Sequence, residues 1–501
     1  MQPRWQRTTR ADPPDQNSEM NEPRILRLLP LLAALAGCAA VGPDYVPPPQ
    51  DVPAAWSRLG DAPVAQVAVA DAPGDLGGWW NRLDDPLLTE LVHEALSASP
   101  DLRSAQARLR AARAQRTVAA SALYPSVSAS ARASRSESSE ELGTGEVRNF
   151  YTAGFDASWE ADVFGGVRRG VEAADADLES SRADLDAVQV SLAAEVASNY
   201  VDVRAQQILL EIARANLATQ SETLQLTEWR AQAGLVSGQD VEQARANREQ
   251  TRAQLPALET ALAAAEHRLD VLLGRAPGSL HARLAEVGGV PAVPEAVAVG
   301  IPADMLRQRP DVRAAERALA AQTARVGVAE AARYPSFTLS GSIGVEALTF
   351  GALGNGGAVA SSLVAGITAP IFDAGRLRAQ VEIQDAVREQ ALVAYEKAVL
   401  AALQEVENAL VELARNRERG DALAIAVESG RNAAALARQR YSAGLIDFQS
   451  VLDSERSVLV LEESLAANRA NGVQALIRLY KALGGGWSPQ AESSATSKDA
   501  S

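Results

Sequence analysis

Tyr124-Pro125-Ser126 recurs as Tyr334-Pro335-Ser336, and we call the distance between the two the repeat offset. The same offset relates Pro100-Asp101-Leu102-Arg103 to Pro310-Asp311-Val312-Arg313, Ala233-Gly234-Leu235-Val236 to Ala443-Gly444-Leu445-Ile446, and Leu273-Gly274 to Leu483-Gly484. A coincidence of Ala- and Arg-rich sequence would not keep one register over this span. The chain is therefore predicted to contain one structural unit twice.

Each Tyr-Pro pair opens a region in which apolar and polar residues alternate. The alternation runs from 125 to 134 and from 151 to 163 in the first copy, and from 336 to 345 and more weakly from 363 to 371 in the second. A period of two predicts β-strands with one apolar and one polar face. Glycines near 143–145 and 351–357 predict the turn inside each strand pair.

The rest of each copy has the periodicity of helices. Gly166 to about Arg230 contains no proline and carries apolar residues seven positions apart, which predicts one long helix with coiled-coil-like packing. About 65 residues of helix would span about 97 Å. A shorter helix, from about Val241 to Leu273, is expected to return from the first Ala-Gly-Leu turn, and another, from about Asp101 to Leu123, to lead into the strands.

The first 37 residues have the features of an export signal. Basic residues precede the apolar run Leu28 to Ala36, which ends in Leu35-Ala36-Gly37-Cys38. This ending resembles a bacterial lipobox, which implies cleavage before Cys38 and a lipid on its thiol, an anchor that does not span the bilayer. Ala39 follows, where an Asp would favour retention in the inner membrane. Met20 is an alternative start, and an ordinary signal peptide with an incidental cysteine is the competing interpretation.

Alternating strands occur both in transmembrane barrels and in half-buried soluble sheets. The export signal, and the acidic residues Asp156, Glu160 and Asp162 on the polar face, favour the barrel. Four strands cannot close a barrel, because the smallest transmembrane barrels have about eight. Several chains are therefore predicted to share one barrel, continued by a tube of helices.

The composition excludes several other classes of protein. The 501-residue chain has a formal net charge of −15, so no nucleic-acid partner is expected. The single cysteine rules out an intrachain disulfide, and the three histidines lack the spacing of metal ligands. The sequence contains no glycine-rich phosphate loop. We therefore predict no catalytic residue, no cofactor and no bound metal, and an enzyme is not expected.

The predicted fold class is α+β, mostly α, in six segments. They are a signal peptide at 1–37, a lipidated extended segment at 38–85, the first repeat at 86–280, a linker at 281–303, the second repeat at 304–484 and a disordered tail at 485–501. Each repeat is predicted to run in the order helix, strand pair, long helix, helix.

Several short motifs, weak alone but specific in this order, are similar to one family. They are the Cys38 lipobox, Val41-Gly42-Pro43-Asp44-Tyr45, the two Tyr-Pro strand entries, Asp162-Val163-Phe164-Gly165, Ile371-Phe372-Asp373-Ala374-Gly375-Arg376 and the two Ala-Gly-Leu turns. From about residue 38 to 484 the chain resembles the TolC family of outer-membrane efflux proteins, in particular the OprM/NodT-like lipoprotein branch of RND-type tripartite systems. The resemblance implies a homotrimer with a twelve-stranded barrel in the outer membrane, continued by a helical barrel across the periplasm.

The same resemblance implies partners and a function. Such a duct docks with a periplasmic adaptor (a membrane fusion protein) and an inner-membrane RND-type pump, is surrounded by outer-membrane lipid, and passively passes drugs or other small molecules outward. A type I secretion duct is the alternative within the channel class. A lipid-anchored periplasmic coiled-coil spacer, whose strand pairs would form a soluble cap, is the alternative in the structural class.

The two Ala-Gly-Leu turns are predicted to contact the adaptor. Beside Gly234 and Gly444, the expected exposed apolar residues are Leu235, Val236, Leu445 and Ile446. The competing interpretation is that each glycine ends a helix and is packed by the apolar residue that follows it. The two interpretations are compatible.

The resemblance also implies a gate at this end of the helices. Three copies of Asp453 would form an acidic ring that favours cations. Tyr441 and Asp240 would form a hydroxyl-to-carboxylate link that breaks on opening. Ser450 stands where a second acidic ring is common in the family, and Ile446 stands where an Arg can lock the gate. We therefore predict a gate that is less locked by charge and less cation-selective than that of the family prototype. The alternative is that Asp240 and Asp453 only stabilise the first turn of a helix.

Overall fold

The computed structural model of the chain describes residues 40–49, 52–57, 67–69, 76–139, 141, 145–294, 297–299 and 302–487. The predicted signal peptide, Cys38 and residues 488–501 of the predicted tail lie outside the described residues. The chain divides into two compact units. Within the described ranges, we call residues 40–42, 123–169 and 327–377 the strand unit, and residues 43–122, 170–326 and 378–487 the helical unit.

The elements follow one another in an order that recurs. The strands are β1 (Val67–Val69), β2 (Ser126–Glu137), β3 (Val147–Ala161), β4 (Val297–Val299), β5 (Ser336–Ala347) and β6 (Val359–Thr368). The helices are α1 (Pro86–Ala98), α2 (Pro100–Ser121), α3 (Gly166–Gln232), α4 (Gly238–Leu272), α5 (His281–Leu284), α6 (Pro302–Gln308), α7 (Pro310–Ala331), α8 (Arg376–Ser442) and α9 (Phe448–Ala482). The repeat offset relates the first residues of α2, α3 and α4 to those of α7, α8 and α9.

The strand unit contains one antiparallel sheet in the order β2-β3-β5-β6. Ser126 pairs with Ser158 in the first hairpin, and Ser336 with Thr368 in the second, so both hairpins have the same register at the repeat offset. β3 and β5 join the hairpins. Apolar side chains from all four strands share one exposed face, among them Val127, Phe155, Ile343 and Leu363.

The helical unit has its main hydrophobic core where α1, the two long helices and the last helix meet. Trp79 is fully buried and stacks on Tyr480, with ring centroids 5.3 Å apart. Asp85 caps α1 by accepting a hydrogen bond from the Leu88 N–H at 3.0 Å, and its other oxygen accepts one from the Tyr200 hydroxyl at 2.7 Å. The chain after α9 also packs here, because the Gly486 N–H donates to the carbonyl of Leu76 at 2.9 Å.

One feature of this unit was not predicted from the sequence. β1 and β4 form a small parallel pair, which brings the N-terminal segment beside the linker between the repeats. Such short strands cannot carry a strand period, so the sequence did not predict this pair. Among the helices that the structure describes, none is both long and apolar enough to cross a lipid bilayer.

Candidate functional site

The long helices α3 and α8 each end in the same backbone motif. In the first turn, the Leu235 N–H donates to the carbonyl of Arg230 at 2.8 Å and the Gly234 N–H to that of Ala231 at 2.9 Å. This is a Schellman motif, which needs a residue with positive φ at the position of the glycine. Gly234 has φ of 71°, and its counterpart Gly444 in the second turn has φ of 75°. We call residues 233–237 and 443–447 together the tip.

The helix that follows each turn begins with a side-chain cap. Ser237 and Asp240 form a capping box in which the Asp240 N–H donates to the Ser237 hydroxyl, and the Ser237 N–H donates to the Asp240 carboxylate. In the second turn Asp447 takes the capping role and accepts from the Ser450 N–H and hydroxyl, at 3.0 and 2.6 Å. Hydrogen bonding to Ser450 lowers the pKa of Asp447.

The apolar residues of the tip fall into two classes. Leu235 and Leu445 are 68% and 73% exposed. Val236 and Ile446 were expected to be exposed as well, and that expectation was wrong: both are half-buried against the hydrophobic cluster below the turns. The Schellman bonds hold the leucine backbone at the end of the helix, and the chain then turns inward toward the next helix.

This small hydrophobic cluster, the tip core, holds the two turns together. It consists of the buried residues Leu224, Ala244, Ala437, Tyr441, Phe448, Val451 and Leu452. The rings of Tyr441 and Phe448 lie 5.3 Å apart. Arg230 covers this pair, with its guanidinium carbon 4.5 Å from the centre of the Tyr441 ring and its Nη1 donating to the Tyr441 carbonyl.

The predicted gate pair, Asp240 and Tyr441, is close but not bonded. The Asp240 carboxylate is engaged by Ser237, and the buried Tyr441 hydroxyl forms no hydrogen bond with it. Burial raises the pKa of Tyr441; Thr227 and Arg230 oppose that rise, and the charge of Asp240 adds to it. The two side chains therefore interact electrostatically while the hydroxyl-to-carboxylate bond is absent.

Asp453, the predicted ring residue, is exposed on the second turn of α9. Its carboxylate accepts a hydrogen bond from Gln449 Nε2 at 2.9 Å, one helical turn earlier. Nearby on the same helix, Glu455 is buried and accepts a hydrogen bond from the Thr223 hydroxyl of α3 at 2.8 Å. The sequence did not reveal Arg230 or Glu455 as candidates, since the partner of each lies in the other repeat.

Three comparisons with known proteins agree with this architecture. A family model described as "Outer membrane efflux protein" matches residues 91–275 and 301–485. Nodulation protein T of Rhizobium leguminosarum bv. trifolii is 35% identical over 470 residues, which cover 91% of this chain and 96% of that protein. The toluene efflux pump outer membrane protein TtgF of Pseudomonas putida is 32% identical over 465 residues, covering 91% of this chain and 96% of that protein.

A solved structure gives the same result for the fold. The structure of the outer-membrane channel OprN matches with a TM-score of 0.83 and 38% sequence identity, covering 90% of this chain and 100% of that one. The chain therefore belongs to the outer membrane efflux protein family. The predicted resemblance to TolC-family proteins and the predicted function, an outer-membrane efflux channel, are confirmed by these matches.

Proposed function

We propose that this chain is the exit duct of a tripartite efflux system, and that it works as a homotrimer with a twelve-stranded barrel. It passes drugs or other small molecules passively from an inner-membrane RND-type pump, through a periplasmic adaptor, to the exterior. The observation that carries this proposal is the sheet of the strand unit, because its two outer strands, β2 and β6, each pair on one side only among the residues that the structure describes. A lipid-exposed sheet with unpaired edges is not viable, so neighbouring copies must supply the missing strands.

The exposed apolar face of the sheet favours a membrane barrel over a soluble cap. Val127, Phe155, Ile343 and Leu363 are all more than half exposed on that face. The coiled-coil spacer would need this face covered, since contiguous exposed apolar surface is costly in water. In a barrel the same face meets lipid, and the serines, Asp156 and Glu160 of the other face meet water.

The two long helices point to a second copy as the neighbour. Ala183 of α3 is 1% exposed, whereas Val393, its counterpart on α8, is 56% exposed. Val190 and Leu400 differ in the same way. The face that is buried on the first long helix is therefore open on the second. We infer a duplicated unit in which the second copy lacks, within one chain, the neighbour that the first copy has.

Near Ala176 and Ser180 that neighbour is α7, whereas Val190 lies beside Gly486 of the chain after α9. Ser180 of α3 donates its hydroxyl hydrogen to the carbonyl of Ala314 at 3.0 Å, and Ala176 packs on Ala320 and Ala321. The counterpart of α7 is α2, whose Ala111 is exposed where Ala321 is buried. We therefore propose that α8 of one chain packs on α2 of the next, which closes a ring of helices.

A lipid on Cys38 would anchor the chain next to the strand unit. The Val41 N–H donates to the carbonyl of Phe164 at 3.0 Å, and Arg169 donates to the Val41 carbonyl at 3.2 Å. Gly42 has φ of 91°, and a Cβ there would lie 2.4 Å from the Gly327 Cα, so only glycine fits. About three residues span roughly 10 Å at most, so the proposed lipid would insert close to this contact.

The tip is the proposed gate and adaptor-docking site. Leu235 and Leu445 supply exposed apolar contacts, and three copies of Asp453 would form the acidic ring. We propose that the Asp240–Tyr441 link forms only when the gate closes fully; the two side chains are not bonded in the structure. Ser450 and Ile446 make this gate less dependent on charge than one with two acidic rings and an Arg.

Efflux by cells tests this function. A strain that lacks its own outer-membrane efflux channel would be supplied with this chain and its cognate adaptor and pump, and dye accumulation would be measured. We expect dye accumulation to fall to the level seen in a strain whose own efflux system is intact. Unchanged accumulation with a correctly inserted protein would contradict the small-molecule duct and favour the type I secretion alternative, which secretion of a protein cargo would then test.

A further inference from the structure

Glu455 is a buried carboxyl group at the contact between the two helical hairpins. It is 4% exposed on α9, although Asp453, close by on the same helix, is exposed. One carboxylate oxygen accepts the 2.8 Å hydrogen bond from Thr223 of α3. The other, Oε2, has no hydrogen-bond partner among the described residues, and the same holds for Gln220 Oε1, one turn before Thr223.

The charges around Glu455 do not neutralise it by direct contact. On α8, Arg438 is near enough to favour the ionised carboxylate but forms no ion pair with it in the described structure. On α9 itself, Arg456 donates to Asn247 of α4 at 2.9 Å, and Asp453 is bonded to Gln449.

The two remaining faces are uncharged next to Glu455. The buried polar residues of α3 there are Gln220, Thr223 and Thr227, and those of α4 are Asn247 and Thr251; the buried Leu224 and Ala244 are apolar. Further along α4, Arg248 and Glu249 pair with each other. Glu455 is therefore a single acid in a polar but largely neutral layer.

An ionised carboxylate in such a layer is costly. Burial removes its water, and one hydrogen bond from a hydroxyl replaces only part of that solvation. Burial accordingly raises the pKa of Glu455, while Thr223 and Arg438 oppose the rise. Separation of α3 from α9 would return the carboxylate to water and remove the cost.

We propose that Glu455 is a proton-operated latch of the tip: the neutral carboxyl holds α3 and α9 together, and the ionised carboxylate favours their separation. This inference rests on the proposed gate at the same end of the helices. The latch exists once per chain, because the repeat offset places Arg245 opposite Glu455 and Ala433 opposite Thr223. The α3–α9 contact is thus the pH-sensitive one.

The direction of the pH effect follows from the raised pKa. A carboxyl group whose pKa is raised in the packed tip destabilises that tip at pH values above its ordinary pKa. The destabilisation is complete above the raised pKa and is lost as the pH falls through that value toward the ordinary one. Acid therefore closes the tip and neutral pH favours opening.

Open probability in a planar bilayer, measured between about pH 5 and about pH 8, tests the latch. We expect the wild-type open probability to rise severalfold from the acid to the neutral end of this range, because the ionised carboxylate favours separation of α3 from α9. Glu455→Gln, which is neutral and nearly isosteric, should stay at the low value throughout. Thr223→Val removes the bond that favours the ionised form, so its profile should shift to higher pH. Glu428→Gln, at an exposed carboxylate of α8, should behave as wild type.

The outcomes separate the latch from the channel. A wild-type pH profile in Glu455→Gln, or an unshifted profile in Thr223→Val, with normal channels in both, would overturn the latch and leave the duct intact. Absence of conductance in every variant, including Glu428→Gln, would instead overturn the proposed function on which the latch rests.

Discussion

The Asp240 carboxylate accepts hydrogen bonds from the backbone N–H and the hydroxyl of Ser237, at 3.0 and 3.1 Å. Asp240 therefore has a structural role in the cap of α4 that is separate from any link to Tyr441. The two interpretations given for this residue from its sequence position are compatible, because a carboxylate can leave one partner for another when helices move. Variants that remove the cap and variants that remove the link distinguish them.

We expect Asp240→Ala and Ser237→Ala each to lower the stability of the protein by about 1 kcal/mol, because each breaks the capping box. Only Asp240→Ala should also raise the open probability, as Tyr441→Phe should. Thermal unfolding and bilayer conductance measure the two effects. Equal open probabilities in Asp240→Ala and Ser237→Ala would show that Asp240 acts only as part of the helix cap.

The glycines of the tip are required because of their backbone conformation, and not because a side chain would lack room. A Cβ at Gly234 or Gly444 would meet no atom within 4 Å, yet both residues have positive φ. Alanine at either position should therefore cost about 1 kcal/mol. Gly170 inside α3 is the matched control, since it also has free space but ordinary helical φ, and Gly170→Ala should stabilise the helix by about 0.5–1 kcal/mol. Thermal unfolding followed by far-UV circular dichroism measures the loss of stability at the tip and the gain of stability at Gly170. Destabilisation by Gly170→Ala would contradict the explanation from backbone conformation.

The exposed leucines of the tip should contribute to docking without contributing to folding. Leu235→Ser combined with Leu445→Ser should leave thermal stability unchanged and lower capture of the adaptor at least about tenfold, as loss of apolar contacts at the centre of an interface does. Val46→Ser, at another exposed apolar residue, is the control. Normal adaptor capture by the double variant would remove the tip from the docking surface.

The contact proposed between copies can be tested by a disulfide. Ala111 and Ala386 are exposed in one chain and occupy the positions that match the packed pair Ala321 and Ala176. Ala111→Cys with Ala386→Cys should therefore form covalent dimers and trimers on oxidation. Ala111→Cys with Leu400→Cys is the mismatched control, since the second thiol is then displaced by about 21 Å along α8. Equal crosslinking in both pairs, or in neither, would contradict this packing.

Long periodic segments were the part of the fold that the sequence predicted well. The alternation covers most of β2, β3 and β5 and is weaker in β6, and the heptads of α3 persist over much of the helix, so local pattern and tertiary packing agree. The predicted ends of these elements lie close to those observed. The pairing of β1 with β4 was beyond prediction, because such short strands carry no period and the partner of β1 lies in the distant linker between the repeats.

The candidate site was predictable where a backbone requirement recurs, and not where side chains meet across helices. The glycines of the two turns are identifiable because positive φ restricts the residue type. Val236 and Ile446 were placed wrongly because the direction of the chain after the turn depends on the tip core. Glu455 could not be recognised as buried, because an acid in a heptad pattern has no signal that tells an inward from an outward face until the partner helix is known.

Conductance of the purified protein in a planar lipid bilayer tests the central claim most directly. We expect discrete channel openings from detergent-extracted trimers, with weak preference for cations that Asp453→Ala reduces further. Complete absence of channels from folded trimers, in wild type and in Tyr441→Phe alike, would contradict the assignment of this chain as an outer-membrane duct.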